Sequence, residues 1–313
     1  MKKPLTTLII IALIASQAAA CRNDVDTYSS DGKLSVVSTI FPYYDFVREI
    51  SGGKVMNTML LKPGAESHSY EPTPQNIIRI QNCDLFIYTG GESDTWVRRI
   101  LDSLDTSKMK ILKIMECVAE LKVEQHEQHE QHDHNVESGY DEHVWTSPKN
   151  AALIVKVITD ALCVIDQANT AVFRQNSDDY LLKLMELDAK FQAVVDNAAR
   201  KTMVFADRFP FRYFADAYGL DCYAAFPGCA TETEAGAATV AFLIDKIVSE
   251  RIPVVYYTEF SNHKMAETIC EDAGVDRMLF HSCNNVSRDD FNNGASYLSI
   301  MRENAKALEI GLE

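Results

Sequence analysis

The chain has 313 residues, 47% of them apolar, and carries 45 Asp and Glu against 30 Lys and Arg, a formal net charge of -15. That length allows two ordinary domains with a sizeable core. The negative balance argues against a nucleic-acid partner, whose phosphates need a basic face, and favours cations only in a general way.

Residues 1 to 20, MKKPLTTLIIIALIASQAAA, pair two lysines with a short apolar run and close on small residues. This predicts a secretory signal peptide, too short and wrongly flanked to span a membrane. A cysteine directly after the small residues resembles the lipobox of bacterial lipoproteins, with alanine where leucine usually precedes. Cys21 is therefore expected to carry a lipid anchor that tethers the chain to the outer face of a bacterial membrane without crossing it. An ordinary signal-peptidase cut at the same junction is the alternative, leaving a soluble periplasmic or secreted protein. Residues 21 to 33 are polar and small and read as a leash, with folded structure expected from Leu34. Loss of Lys2 and Lys3 with the leader would take the net charge to -17.

Beyond the leash the chain alternates strand-like and helix-like stretches in two series. The first has strands near 33–40, 55–61, 84–90 and 110–115. The second has them near 202–207, 221–226, 253–259 and 277–282. Four strands with crossover helices in each half predict an α/β protein of two lobes, each a roughly four-stranded parallel sheet. Residues 171 to 201 contain no Pro or Gly and space their apolar residues at three and four, which predicts one long helix of about 45 Å at 1.5 Å per residue. The expected boundaries are 34–168 for the N-terminal lobe, 169–201 for a stiff linking helix that limits hinge motion, and 202–313 for the C-terminal lobe. SGGK at 51–54 lacks the spacing of a phosphate loop and reads as a helix end.

Besides Cys21 there are seven cysteines, Cys83, Cys117, Cys163, Cys222, Cys229, Cys270 and Cys283. An odd number with no CxxC pair argues against a disulfide framework and against a thiolate metal site, so most are expected to be buried as small apolar groups.

The histidines are more informative. His68 lies in KPGAESHSYEPTP after the second strand, His143 in DEHVWTSPKNA before a helix that Ser147-Pro148 would start well, and His281 at the end of the last strand. In parallel α/β sheets ligands bind at the carboxyl ends of the strands, where all three fall. One such histidine would be read as structural; three from separate segments point to a metal. Four more, His126, His129, His132 and His134, crowd into EQHEQHEQHDHN at 124–135, within a loop expected at 120–140. That composition predicts a disordered acidic segment. Lying between two expected ligands, it reads as a collector or sensor of metal. His263 is expected at the surface or capping a helix, and Tyr70 and Trp145 as wall and packing residues.

PGAESHSYEPTP, the His-rich insert and DEHVWTSPKNA, in that order, resemble the zinc and manganese solute-binding lipoproteins of ABC importers, the ZnuA and TroA-like family. The likeness runs on through YFADAYGL (213–220) and SYLSIMRENAKAL (296–308). The resemblance implies a metal held between two α/β lobes by histidines and a carboxylate. His68 and His143 match the N-terminal ligands, and His281 a position often occupied by aspartate. Where relatives carry a third histidine this chain has Arg208, which stays protonated and does not ligate. Asp207 or Glu259 is then the candidate oxygen ligand, or Arg208 pairs with one of them and leaves three protein ligands and a water. Arg208 itself is expected to turn away from the ion. Imidazole donors favour zinc, with manganese or iron admitted by a mixed nitrogen and oxygen set. The resemblance implies a monomeric, non-enzymatic protein that captures zinc and passes it to an ABC permease. The alternatives are a zinc hydrolase, disfavoured by the lack of HExxH and GxSxG motifs, and a surface adhesin.

Overall fold

In a computed structural model, residues 32–67, 69–123, 139–228 and 235–313 are described. The signal peptide, Cys21, His68, the His-rich insert and Cys229 lie outside the described residues. From Leu34 to Glu313 the chain forms one compact unit.

All eight expected strands are present. β1 (Ser35–Ser38), β2 (Met56–Met59), β3 (Leu85–Tyr88) and β4 (Lys110–Lys113) form a parallel sheet in the order β2-β1-β3-β4. β5 (Thr202–Phe209), β6 (Asp221–Pro227), β7 (Val254–Tyr257) and β8 (Asp276–Leu279) repeat that pattern as β6-β5-β7-β8. The order reverses between β1 and β3 in one sheet and between β5 and β7 in the other, so each lobe opens a crevice at the carboxyl end of those pairs. β5 departs from regular register between Phe205 and Arg208. An irregularity of this kind re-aims the residues that follow it, here at the rim of the crevice.

Alternation along the strands divides the core into three layers. Val37 and Phe86 face outward in the N-terminal lobe with Leu60, Ile80 and Trp96. Val204 and Val255 face outward in the C-terminal lobe with Leu243, Ile247 and Ile269. The opposite faces, Val36, Leu85 and Ile87 from one sheet and Met203, Phe205 and Tyr256 from the other, share a single continuous cluster. The long helix, Thr170–Asp196, buries Phe173, Tyr180, Leu184, Leu187, Phe191 and Val195 in that cluster. Its 27 residues span about 40 Å, shorter than the stretch expected from sequence. It stops at Asp196 because the backbone N–H groups of Ala199 and Arg200 turn to donate to the Leu312 carbonyl, at 3.0 and 3.3 Å.

Smaller expectations sort themselves. The Phe41–Ser51 helix ends at Gly52, whose φ of 54° accommodates the left-handed turn, and Pro148 opens the helix to Ile165. β8 stops at Leu279, two residues before His281. His263 stands at the N-cap of Lys264–Ala273 but makes no side-chain cap; its ring is half-buried, edge-on to Tyr257 at 4.6 Å. Cys83, Cys117, Cys163, Cys222, Cys270 and Cys283 are free thiols, buried or half-buried, and burial pushes Cys83 up to about 12. Among the described residues no helix is long and apolar enough to cross a membrane.

Candidate metal centre

Loops leaving both sheets at their carboxyl ends enclose a cavity of about 40 Å3, room for an ion with a water. Ala65, Glu66, Ser67 and His143 line it from the N-terminal lobe; Arg208, Gly228, Thr258, Glu259 and Ser282 line it from the other.

His143 is 2% exposed and sits in the turn ahead of Pro148–Ile165. One carboxylate oxygen of Asp141 lies 2.8 Å from the His143 backbone N–H and 3.1 Å from its Nδ1. An aspartate against Nδ1 fixes the proton there and leaves the Nε2 lone pair for a metal, the arrangement that orients imidazole ligands. Asp141 is held in turn by Tyr213, whose hydroxyl donates to its backbone carbonyl at 2.9 Å. Gly228 closes the wall opposite: a Cβ there would sit 3.4 Å from His143 Cε1 and 2.8 Å from the Phe209 carbonyl oxygen.

Glu259, just past β7, enters the cavity wall as an acceptor from the Ser282 N–H at 2.7 Å and from the Ser282 hydroxyl. A carboxylate keeps spare lone pairs after two such bonds. His281 is outside the lining; its Nδ1 is 3.4 Å from Glu259 Oε2 and accepts from the Cys283 N–H at 2.9 Å. Cys283 adopts a φ of 63°, and Asn304 clamps the His281 backbone, donating to its carbonyl and accepting its N–H, both at 2.8 Å. While Nδ1 accepts, the neutral ring carries its proton on Nε2. Ligation by Nε2 therefore requires that bond to break.

Asp207 is otherwise engaged. Its Oδ2 accepts from the Thr258 N–H at 3.1 Å and the Thr258 hydroxyl at 2.9 Å, and its Oδ1 from the Arg208 N–H at 2.8 Å. It bridges β5 to the end of β7 and does not line the cavity. Arg208 does line it, and its Nη1 lies 3.5 Å from Glu66 Oε2. The guanidinium thus pairs with a carboxylate, as expected, but in the wall of the site and not away from it. Among the described residues no three His, Cys, Asp or Glu side chains meet at metal-binding spacing. Ala65, Glu66 and Ser67, which lead into His68, are part of the wall. Residues 123 and 140, flanking the insert, pair in an antiparallel bridge. The supporting residues Asp141, Ser282 and Asn304 were missed from sequence. DEH carried a signal for the first, since an aspartate two residues before a ligand histidine is placed to orient it.

A family model described as zinc-uptake complex component A, periplasmic (ZnuA), matches residues 36–311. The chain belongs to this family. The high-affinity zinc uptake system protein ZnuA of Bacillus subtilis is 31% identical over 317 residues, covering 100% of this chain and 99% of that protein. The zinc-binding lipoprotein AdcA of Streptococcus pneumoniae is also 31% identical, over 99% of this chain but only 61% of its own length. The crystal structure of the Zn(II)-bound ZnuA-like domain of that AdcA superposes with a TM-score of 0.74 at 30% identity, covering 90% of this chain and 99% of that domain. The two-lobed parallel α/β architecture is therefore that of the ZnuA family.

Proposed function

We propose that this chain captures zinc on the outer side of a bacterial membrane and delivers it to an ABC permease, acting as a carrier and not as an enzyme. The observation that carries the reading is His143, buried, oriented by Asp141, and facing Glu259 across one cavity between the lobes. Ligand donors of that kind suit zinc, and manganese less closely. Names and structures of relatives point the same way, being zinc-uptake and Zn(II)-bound proteins. In this reading His68 and His143 supply nitrogen and Glu259 supplies oxygen. Glu259 is favoured over Asp207 because Asp207 already bridges two strands, and His281, behind Glu259, joins the shell only if the bond it accepts from the Cys283 N–H breaks. Cys21 anchors the monomer by lipid, a role favoured by the lipoprotein name of AdcA, and the His-rich segment gathers zinc beside the tight site. Metal analysis of untagged protein, followed by zinc and manganese titration, tests this. His143→Ala should weaken zinc by orders of magnitude with the fold retained; unchanged affinity would overturn the site.

A further inference from the structure

The proposed ligands come from separate segments, and one short stretch past β8 reaches the supports of all of them. The Ser282 N–H and hydroxyl hold Glu259, the N–H at 2.7 Å. The Asn285 amide donates to the Lys62 and Ala65 carbonyls, both at 2.8 Å, in the loop that leads to His68. The link to His143 is Trp145, two residues further along the chain, whose indole N–H donates to the Ser282 carbonyl at 2.8 Å.

Trp145 is 2% exposed, in the short turn Val144–Thr146 that precedes the helix Pro148–Ile165. The His143 carbonyl accepts from the Thr146 N–H at 3.1 Å and from its hydroxyl at 2.8 Å, so His143 and Trp145 belong to one closed turn. The Trp145 ring meets the His143 ring edge-on at 5.4 Å and the Tyr43 ring at 5.9 Å, and its backbone carbonyl accepts from the Tyr297 hydroxyl at 2.8 Å. Indole has one N–H and no acceptor, so it does not ligate a cation, and Trp145 is not among the described residues lining the metal cavity. Packing alone would be served by any large ring. The N–H is aimed at the carbonyl of the one residue that holds Glu259 by both its backbone and its hydroxyl.

A nitrogen donor fixed in one lobe and an oxygen donor fixed in the other leave the ion little freedom to set its own bond lengths. Zinc takes imidazole nitrogen at about 2.0–2.1 Å and carboxylate oxygen at about 2.0–2.2 Å. A larger ion pushes both ligands outward, and with Trp145 joining the two segments that movement stretches the bond to Ser282. Resting on the zinc reading above, we propose that Trp145 is a positioning residue that sets the separation of His143 and Glu259, and through it the preference of the site for zinc over larger divalent ions.

The test is competition titration of the mature protein with zinc and with cadmium, which shares the filled d-shell of zinc and has a larger radius. Trp145→Phe keeps an aromatic ring and deletes the N–H. Zinc affinity should fall about tenfold, the low end for loss of a partner that orients a ligand. Cadmium affinity should fall less, so the zinc-to-cadmium ratio shrinks several-fold. Ser282→Ala leaves the carbonyl for Trp145 and frees Glu259 at the other end of the tie; it should shrink the same ratio without altering a large side chain. Gly311→Ala, which crowds Tyr256 at the C-terminal helix, lowers stability away from the cleft and should keep the wild-type ratio. The inference is overturned if Trp145→Phe and Ser282→Ala, shown to be folded by their melts, keep the wild-type ratio, or if Gly311→Ala shrinks it equally, which would mark a general loss of stability. Zinc lost in His143→Ala with the ratio unchanged in both cleft variants removes the tie and leaves the zinc site standing. Zinc affinity unchanged in His143→Ala removes the site and the tie with it.

Discussion

Asp141→Asn is the sharpest probe of the zinc cleft, because it changes no expected ligand. The aspartate oxygen 3.1 Å from His143 Nδ1 holds the ring and its tautomer, and the amide keeps an oxygen that can accept the same two N–H groups. What disappears is the negative charge that raises imidazole basicity, together with certainty about which atom faces the ring, since the amide presents a donor in its alternative orientation. Loss of a partner of this kind costs about 10 to 100-fold in metal affinity, or about 1.4 to 2.7 kcal/mol. Structure should survive, because Tyr213 donates to the Asp141 backbone carbonyl and not to its side chain. A competition titration against a zinc-binding dye measures the affinity, with a thermal melt on the same sample for folding. If zinc affinity is unchanged while the melt is normal, His143 is not a ligand through Nε2. If the loss equals that of His143→Ala, the aspartate is itself in the coordination shell.

Two other substitutions report on the frame. Asp94 has its pKa raised from 3.8 to about 7, mainly by burial, so its contribution to stability is full below about pH 4 and is lost as the pH rises through 7. Wild type should lose up to about 4 kcal/mol relative to Asp94→Asn between those limits, three units at 1.36 kcal/mol each. Denaturant curves across that range would show it, and a pH-independent difference would refute it. Gly311 lets the C-terminal helix approach β7: a Cβ would overlap the Tyr256 hydroxyl and stand 3.0 Å from Val254 Cγ2. Gly311→Ala should cost about 1–3 kcal/mol, partly recovered in Gly311→Ala with Tyr256→Phe, and no recovery would rule out the overlap.

The central strands were legible because a parallel sheet covered on both faces needs buried, largely apolar runs, as in LFIY and the paired valines of SVVS. His143 was legible from its neighbours in sequence. The rest of the cleft depends on contacts that distant residues make. Arg208 enters the wall because β5 loses register just before it, and Asp207, a strand-end carboxylate like Glu259, is diverted by Thr258, 51 residues later. The orientation of His281 is set by Asn304, 23 residues further on. None of these leaves a local pattern, so the number of ligand-type residues at strand ends exceeded the number that line the cavity.

The same contacts limit how the cleft can open. Trp145 of the N-terminal lobe donates its indole N–H to the Ser282 carbonyl at 2.8 Å, and Tyr297 donates to the Trp145 carbonyl at 2.8 Å. Asn285 donates to the carbonyls of Lys62 and Ala65, both at 2.8 Å, fastening the loop that leads to His68. With one apolar cluster running through both lobes and the long helix, opening them as rigid halves would break these bonds and expose the shared core together. The wall past β7 is different. Phe260 and His263 hold φ of 62° and 61°, and Phe260 is 45% exposed. A left-handed conformation costs a non-glycine residue roughly 1–2 kcal/mol, so relaxation of this segment recovers energy; Cys283 holds the same conformation, but its neighbour His281 is clamped by Asn304. Glu259 adjoins Phe260, so with the ligand set proposed above a shift of the turn would draw its carboxylate away while His143 stays fixed by Asp141. Release by this route would weaken the proposed site through its oxygen ligand and leave the frame closed.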